Sequence, residues 1–185
     1  SAHERCFAET GQCLNEPFLT YWEANGGVAI HGFPLTGVFT QRLEDGKDYQ
    51  VQYFERSRFE LHPENVAPYN ILLGQFGRLL YLTDPGQPRA TAATPIPGAL
   101  YFDQTGHNLS GKFRAFWEAN GGLAQFGVPI SEVFRERLED GREYEVQYFE
   151  RARFELHPEN AAPYDVLLGQ VGRRIVGARN PNAPL

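Results

Sequence analysis

The sequence predicts an α+β protein with two homologous small units, each built as helix, turn, three-stranded antiparallel meander and helix. The first observation is an internal repeat, because residues 22–27 recur as 117–122 and residues 51–56 recur as 146–151, at an offset of 95. The second is that apolar residues follow helical spacing at both ends of each copy and alternate in its middle. Duplication predicts one fold used twice.

Four parts follow from this repeat. Residues 1–80 are the first repeat unit, 81–98 an extended Pro/Thr/Ala-rich linker, 99–176 the second repeat unit, and 177–185 a Pro-rich tail. Four prolines among small residues favour an extended, polyproline-like linker. The linker is either a passive spacer or an arm that lies on a neighbouring unit or subunit.

The first helix of each unit is predicted from its start signal and its apolar stripe. Asn15 and Pro17 are typical of a helix start, and Asn25 with the two following glycines ends the helix. In the second copy Ser110 takes the cap position. The apolar stripes are Leu14, Phe18, Tyr21 and Trp22 in the first copy and Phe113, Phe116 and Trp117 in the second.

A short Gly-Pro turn at residues 31–34 and 126–129 leads into the meander. Residues 38–43 read as a strand and residues 44–46 as the turn of a hairpin. The second and third strands are predicted from the alternating residues Tyr49, Val51 and Tyr53 and from Phe59 and Leu61.

The last helix is predicted to start at Pro68 and to stop at Gly77. Its apolar face would consist of Tyr69, Leu72, Leu73 and Phe76. A unit of about 75 residues is small for an independent core, so we expect the two units to pack together or to depend on partners outside the chain.

The two cysteines predict an intrachain disulfide. Thr10 and Gly11 supply a turn that brings Cys6 and Cys13 within bridging distance, with free thiols or a bridge to another subunit as alternatives. A disulfide is typical of exported proteins. The sequence lacks methionine and begins with Ser1, so we expect that an upstream secretory signal was removed, although trimming would look the same. An extracellular or cell-surface location follows.

Charge and hydropathy narrow the set of partners. The net charge of -6 argues against a nucleic-acid partner, because phosphate binding needs a basic surface. No apolar stretch approaches the roughly 18 residues of a membrane span, so none is expected. No cofactor motif is present, so no cofactor is expected.

Short motifs in both copies resemble a known family. Residues 31–34 (His-Gly-Phe-Pro), residues 126–129 (Phe-Gly-Val-Pro) and residues 52–55 (Gln-Tyr-Phe-Glu) resemble the LGFP-type repeat of secreted bacterial cell-wall proteins. Residues 53–65 resemble a module found beside hydrolase domains in secreted proteins of Chloroflexi-type bacteria. The resemblance implies an accessory module that binds cell wall or glycan and has no catalysis of its own.

The strongest chemical candidate is the segment that contains Glu60, His62 and Glu64, which recurs as Glu155, His157 and Glu159. On a strand Glu60 and His62 share one face, so an acid–base pair or metal ligands are feasible. A zinc site needs three or four ligands, however, and HExxH is absent. We therefore expect Glu64 and Asn65 to cap the last helix with His62 hydrogen-bonded beneath it. No catalytic residue or metal ligand is assigned.

Two further sets of residues are candidate contacts. Arg58 and Arg153, with neighbouring Glu55, Arg56, Glu150 and Arg151, are predicted either to form ion pairs across the meander or to match charges on another subunit. Trp22 and Trp117 could stack on sugar rings, but their position on the helical stripe favours core packing.

Two functional hypotheses remain, with a third more remote. The first is a non-enzymatic extracellular structural protein, a tandem-repeat cell-surface or filament-type subunit whose partners are copies of itself. The second is a module for cell-wall polysaccharide, in which two sites raise avidity. The third is a hydrolase that uses Glu60 and His62.

Overall fold

The computed structural model describes residues 3–83 and 92–177. In these residues the chain forms twelve short strands in four antiparallel sheets and six short helices. The elements of the first repeat are β1 Glu4–Phe7, β2 Gln12–Asn15, α1 Phe18–Ala24, α2 Gly27–Ile30, β3 Phe39–Arg42, β4 Asp48–Tyr53, β5 Arg58–Leu61, β6 Ile71–Leu73 and α3 Phe76–Thr83. Those of the second are β7 Leu100–Phe102, β8 His107–Leu109, α4 Gly111–Ala119, α5 Gly122–Phe126, β9 Phe134–Arg137, β10 Glu143–Tyr148, β11 Arg153–Leu156, β12 Val166–Leu168 and α6 Val171–Gly177.

The predicted α+β class is wrong, because small antiparallel sheets dominate, with 32% strand and 23% helix. Each repeat opens with a two-stranded hairpin, β1–β2 or β7–β8, that the sequence pattern did not indicate. Each then forms a four-stranded sheet, in the order β3-β4-β5-β6 or β9-β10-β11-β12, instead of a three-stranded meander. A second short helix, α2 or α5, lies between the first helix and the predicted turn.

The fourth strand occupies residues that were predicted to be helical. Ile71 and Leu73 are buried and Leu72 is exposed, which is the two-residue period of a strand. Ile71 pairs with Leu61 and Leu73 with Phe59, so the strand extends the sheet. The helix therefore starts at Phe76, and Gly77, predicted to end it, is its second residue.

The first helix begins at Phe18, because Asn15 is the last residue of β2 and Pro17 occupies the cap position. Phe18 and Trp22 are buried on its inner face, as the stripe predicts, whereas Leu14, predicted to belong to the same helical stripe, lies in β2. In the second repeat Ser110 is the N-cap residue of α4, also as predicted.

The predicted hairpin and third strand are confirmed. β3 pairs with β4 and β4 with β5, and the side chains of Tyr49, Val51 and Tyr53 are buried. The predicted disulfide is also confirmed, because Cys6 and Cys13 lie opposite each other in β1–β2 with bonded sulfurs.

The core of the first repeat lies on one face of its four-stranded sheet. The buried residues that pack together there are Phe7, Leu14, Phe18, Leu19, Trp22, Phe54, Phe59, Ile71 and Leu73. Burial of this apolar surface is the main stabilising contribution to the repeat. Trp22 is 3% exposed and donates its indole N–H to the carbonyl oxygen of Gly32 at 3.0 Å.

Contacts divide the chain into two compact units that differ from the sequence repeats. Unit 1 comprises Ser1–Gly74 with Gln170–Leu185, and unit 2 comprises Gln75–Gly169. Each unit therefore contains the sheets of one repeat and the last helix of the other, α6 in unit 1 and α3 in unit 2.

The predicted linker is described only in part. Residues 84–91 of the linker, and the tail from residue 178, lie outside the described residues. Residues 92–98 lie along the β7–β8 hairpin of unit 2, where Ala93 N–H donates to the carbonyl oxygen of Gly106 at 2.8 Å. This end of the linker therefore packs within unit 2, the unit to which it belongs.

Candidate functional site

A row of charged side chains follows one face of β5 and continues into the next loop. Arg58, Glu60 and His62 occupy alternate positions, so their side chains share this face. Arg58 donates from Nε and Nη2 to Glu60 Oε2, at 2.9 and 2.7 Å. Both side chains are less than 10% exposed. Burial opposes the charge of Arg58, but the attraction of Glu60 outweighs it and raises the pKa of Arg58.

His62 is held between two carboxylates. Its Nε2 lies 3.1 Å from Glu60 Oε1 and its Nδ1 lies 2.8 Å from Glu64 Oε1. The ring of Tyr49 packs against the imidazole with a centroid separation of 4.2 Å. Both nitrogens of His62 are thus engaged within the protein.

The turn between β3 and β4 completes this cluster. Tyr49 donates its hydroxyl to Asp45 Oδ2, and the hydrogen bond raises the pKa of Tyr49 to about 12. The same bond lowers the pKa of Asp45. Glu44 Oε1 accepts from Arg58 Nη2 at 3.2 Å. We call Glu44, Asp45, Tyr49, Arg58, Glu60, His62 and Glu64 the polar row.

Unit 2 contains an equivalent polar row, Glu139, Asp140, Tyr144, Arg153, Glu155, His157 and Glu159. His157 Nε2 lies 2.9 Å from Glu155 Oε1 and Nδ1 lies 2.8 Å from Glu159 Oε1. Burial lowers the pKa of His157, but these two hydrogen bonds and the attraction of both carboxylates raise it overall. The imidazolium form can donate to both carboxylates at once.

The imidazole nitrogens of both polar rows lie beside carboxylates of the same row. A general base needs a nitrogen or oxygen within reach of a substrate proton, whereas each imidazole nitrogen here faces a carboxylate of its own row. Among the described residues, the three potential metal ligands that lie close together are Glu4, Cys6 and Cys13. The two sulfurs are bonded to each other, so they provide no thiolate.

Glu64 and Asn65 do not cap a helix, which corrects the prediction made for them. Glu64 contacts His62, and Asn65 donates its side-chain N–H to the carbonyl oxygen of Tyr69 at 3.0 Å. His62 N–H donates to the carbonyl oxygen of Asn70 at 2.7 Å. These hydrogen bonds therefore link the two ends of the loop between β5 and β6. The side chain of Tyr69 in this loop is exposed. Tyr164 is exposed at the same position of the second repeat.

Sequence patterns missed the second notable feature, the places where α6 and α3 dock. In unit 1, Arg173 Nη2 donates to Glu55 Oε2 at 2.6 Å. In unit 2, Arg78 Nη2 donates to Glu150 Oε2 at 3.2 Å. Burial would raise the pKa of Glu55, but hydrogen bonds from Arg173 and from Phe33 N–H hold it below its usual range. The sequence carried one unrecognised signal, a Gly-Arg pair at residues 77–78 and 172–173.

The remaining candidates, the two tryptophans and the two arginines, make hydrogen bonds or ion pairs within their own repeat. Trp117 donates its indole N–H to the carbonyl oxygen of Gly127 at 3.0 Å, just as Trp22 does to Gly32. Arg58 pairs with Glu60 and Glu44 instead of Glu55, and Arg153 pairs with Glu155 and Glu139. Glu55 and Glu150 instead hold the docked helices.

Each unit also has a surface cleft at an equivalent position. The first has a volume of about 490 Å³ and is lined in part by Lys47, Tyr49, Leu61 and Glu64. The second has a volume of about 260 Å³ and is lined in part by the equivalent residues Arg142, Tyr144, Leu156 and Glu159.

None of the helices among the described residues combines the length and apolar character needed to cross a bilayer. Comparison with family models, with curated proteins and with solved structures finds no match to this chain.

Proposed function

We propose that this chain is a non-enzymatic structural protein of the extracellular or cell-surface space that assembles with copies of itself. The observation that carries the proposal is the closed polar row in both units, where arginine, histidine and carboxylates bind one another. Buried networks of this kind favour one arrangement of a sheet, and in these rows both imidazole nitrogens and the Nε and Nη2 groups of each arginine have partners. The polar rows therefore favour a rigid structural role over a catalytic one.

Three features support an assembling subunit over an isolated enzyme. The unit is duplicated, so each copy offers two equivalent sets of surfaces. The Cys6–Cys13 bridge suits an oxidising compartment. Both polar rows contain the same residue types. An enzyme needs only one reactive row, so the presence of the same row in both units favours a structural role for it.

Light scattering after size exclusion, followed by negative-stain microscopy, tests the proposal over about micromolar to millimolar protein. We expect regular oligomers or filaments whose amount grows with concentration. Monomers alone at every concentration would remove the proposal. A Glu60→Ala plus Glu155→Ala variant tests the non-enzymatic part: we expect lower thermal stability, whereas loss of a hydrolase activity present in the native chain would contradict it.

A second candidate is a module that binds cell-wall polysaccharide, and the paired clefts favour it. Each cleft combines an aliphatic side chain, Leu61 or Leu156, with a cation and a carboxylate, a mixture that suits the apolar and hydroxyl faces of a sugar. Co-sedimentation with insoluble peptidoglycan and with neutral polysaccharides tests it. Retention should weaken in a Leu61→Asp plus Leu156→Asp variant, and no retention of the native chain would eliminate this candidate.

A further inference from the structure

We propose that copies of this chain join by exchanging helices. In this arrangement, α6 of one copy docks on the first repeat of its partner copy, and α3 of the partner copy docks on the second repeat of the original copy. The inference rests on the proposed function, because it names the surface through which self-assembly proceeds. The partner is a second copy of this chain.

The α6 dock is built from backbone contact and one ion pair. Arg173 N–H donates to the carbonyl oxygen of Glu55 at 3.0 Å, in addition to the side-chain pair. A Cβ added at Gly172 would lie 1.9 Å from the carbonyl oxygen of Phe54. The helix therefore approaches the end of β4 so closely that only glycine fits there.

The α3 dock repeats this geometry in unit 2. Arg78 N–H donates to the carbonyl oxygen of Glu150 at 3.0 Å, and a Cβ added at Gly77 would lie 1.8 Å from the carbonyl oxygen of Phe149. Tyr81 packs against Tyr148 with a ring-centroid separation of 4.8 Å. Gly77 and Arg78 thus correspond to Gly172 and Arg173, whereas the ring contact of Tyr81 is particular to unit 2 because its counterpart is Val176.

Exchange within one chain and exchange between chains satisfy the same contacts. In the described structure, α3 crosses from repeat 1 to unit 2 and α6 crosses from repeat 2 to unit 1. A pairing of repeat 2 from one copy with repeat 1 from another would fill one dock of each type. The equilibrium between a monomer whose helices dock within the same chain and an oligomer whose helices dock on other copies then depends on the linker and on protein concentration.

Joined copies leave unfilled docks at both ends. The first copy keeps an unpaired repeat 1 and the last keeps an unpaired repeat 2, so a further copy can add at either end. A head-to-tail contact of this type propagates unless the ends meet. Helix exchange therefore predicts open chains or closed rings of copies, and the smallest ring is a two-fold dimer in which each copy fills both docks of the other.

Disulfide trapping between two tagged copies tests the inference. One full-length copy carries Glu55→Cys and the other carries Arg173→Cys, so neither can form the new bridge alone. The two are unfolded together and refolded at low and at high concentration. The backbone hydrogen bond between these positions brings them within bridging range when α6 of one copy occupies the dock of the other.

Two controls accompany the trap. A single chain with both substitutions should bridge internally at low concentration, which verifies the geometry and the folding of the variants. The matched pair of Glu55→Cys with Thr40→Cys reports random oxidation, because Thr40 is exposed on β3. At high concentration we expect the pair of Glu55→Cys with Arg173→Cys to give about tenfold more mixed bridge than the control pair, since docking raises the effective concentration of the thiols.

The outcomes separate the two proposals. Oligomers that contain the mixed bridge support helix exchange. Oligomers without it show that copies assemble through another surface, which overturns the inference and leaves the proposed function standing. Absence of both oligomers and bridge removes both.

Discussion

The two repeats secure the same hairpin by different chemistry. In unit 1, Cys6 and Cys13 face each other across β1–β2 and are bonded. In unit 2 the equivalent pair is Tyr101 and Asn108. Asn108 donates to Thr94 O and Glu132 Oε1 and accepts from Ile96 N–H, so the end of the linker takes over from the covalent bond. Both repeats thus link this position of the hairpin, one by a disulfide and the other by hydrogen bonds.

The two units also differ in one buried pair of side chains. His31 and Ser57 form a buried polar pair in unit 1, with His31 Nδ1 3.0 Å from Ser57 Oγ. Phe126 and Ala152 occupy the equivalent positions in unit 2. The polar row, by contrast, is nearly the same in both units. The comparison separates a common charged framework from local positions where polar and apolar packing are interchangeable.

The largest expected effect comes from breaking that common framework. Arg58→Leu or Arg153→Leu leaves a buried glutamate without its partner, which typically costs roughly 3–5 kcal/mol. We expect both variants to unfold at lower denaturant concentration by similar amounts. Arg42→Leu is the matched control, because the Arg42–Asp48 pair is exposed and its loss should change little. A large loss in one unit only would show that the two rows are not equivalent.

The next largest effect comes from closing the helix docks. Gly172→Val and Gly77→Val each place a side chain against a backbone carbonyl, so we expect losses of roughly 3 kcal/mol, the upper end for overpacking. Gly37→Val is the control, since nothing lies within 4 Å of a Cβ at that position. Urea unfolding followed by circular dichroism measures all three. Equal stability of Gly172→Val and Gly37→Val would contradict the close approach of α6.

Removing the two hairpin ties should have a smaller effect. Cys6→Ala with Cys13→Ala opens a short loop, whose closure is worth about 2.5 kcal/mol in the chain-entropy model. Asn108→Ala removes the hydrogen bonds of unit 2 and should cost roughly 1–3 kcal/mol. Melting with and without a reductant separates the two, because a reductant should destabilise the native chain and Asn108→Ala but not the cysteine variant.

Local patterns predicted the elements that depend on local chemistry. The Asp-Gly turn with alternating Tyr49, Val51 and Tyr53 was enough to predict the β3–β4 hairpin, because both signals lie within a few residues. The hairpin β1–β2 was missed, since strands of four residues contain too few alternations. β6 was missed because a three-residue apolar run fits either a helix or a strand.

Only the part of the polar row that lies along β5 could be predicted from the sequence. Strand periodicity places Glu60 and His62 on one face, as the structure has them. Glu44 and Asp45 join the polar row from a turn distant in sequence, and such long-range proximity leaves no local pattern. The docking of α3 and α6 on the other repeat could not be predicted from the sequence for the same reason. The local sequence pattern of each helix is the same whichever repeat the helix docks on.

The smallest expected effect sharpens the second difference between the units. Desolvation by burial lowers the pKa of His31 from 6.5 to about 3, with Arg56 adding to the shift and the backbone of Asn25 opposing it. The unfolded chain therefore binds one more proton than the folded chain between these values, so stability falls as the pH drops through this window.

Replacing the pair by its unit 2 counterpart, His31→Phe with Ser57→Ala, should remove this contribution. Between pH 6 and pH 5 the native chain should lose about 1.2 kcal/mol through His31 alone, at 1.36 kcal/mol per pKa unit, and the double variant should lose correspondingly less. Denaturant titrations at the two pH values measure the difference, with Arg42→Leu as the variant that keeps the buried imidazole. An identical acid dependence in the double variant would show that His31 binds its proton equally well in the folded and the unfolded chain, so that burial does not keep the imidazole neutral.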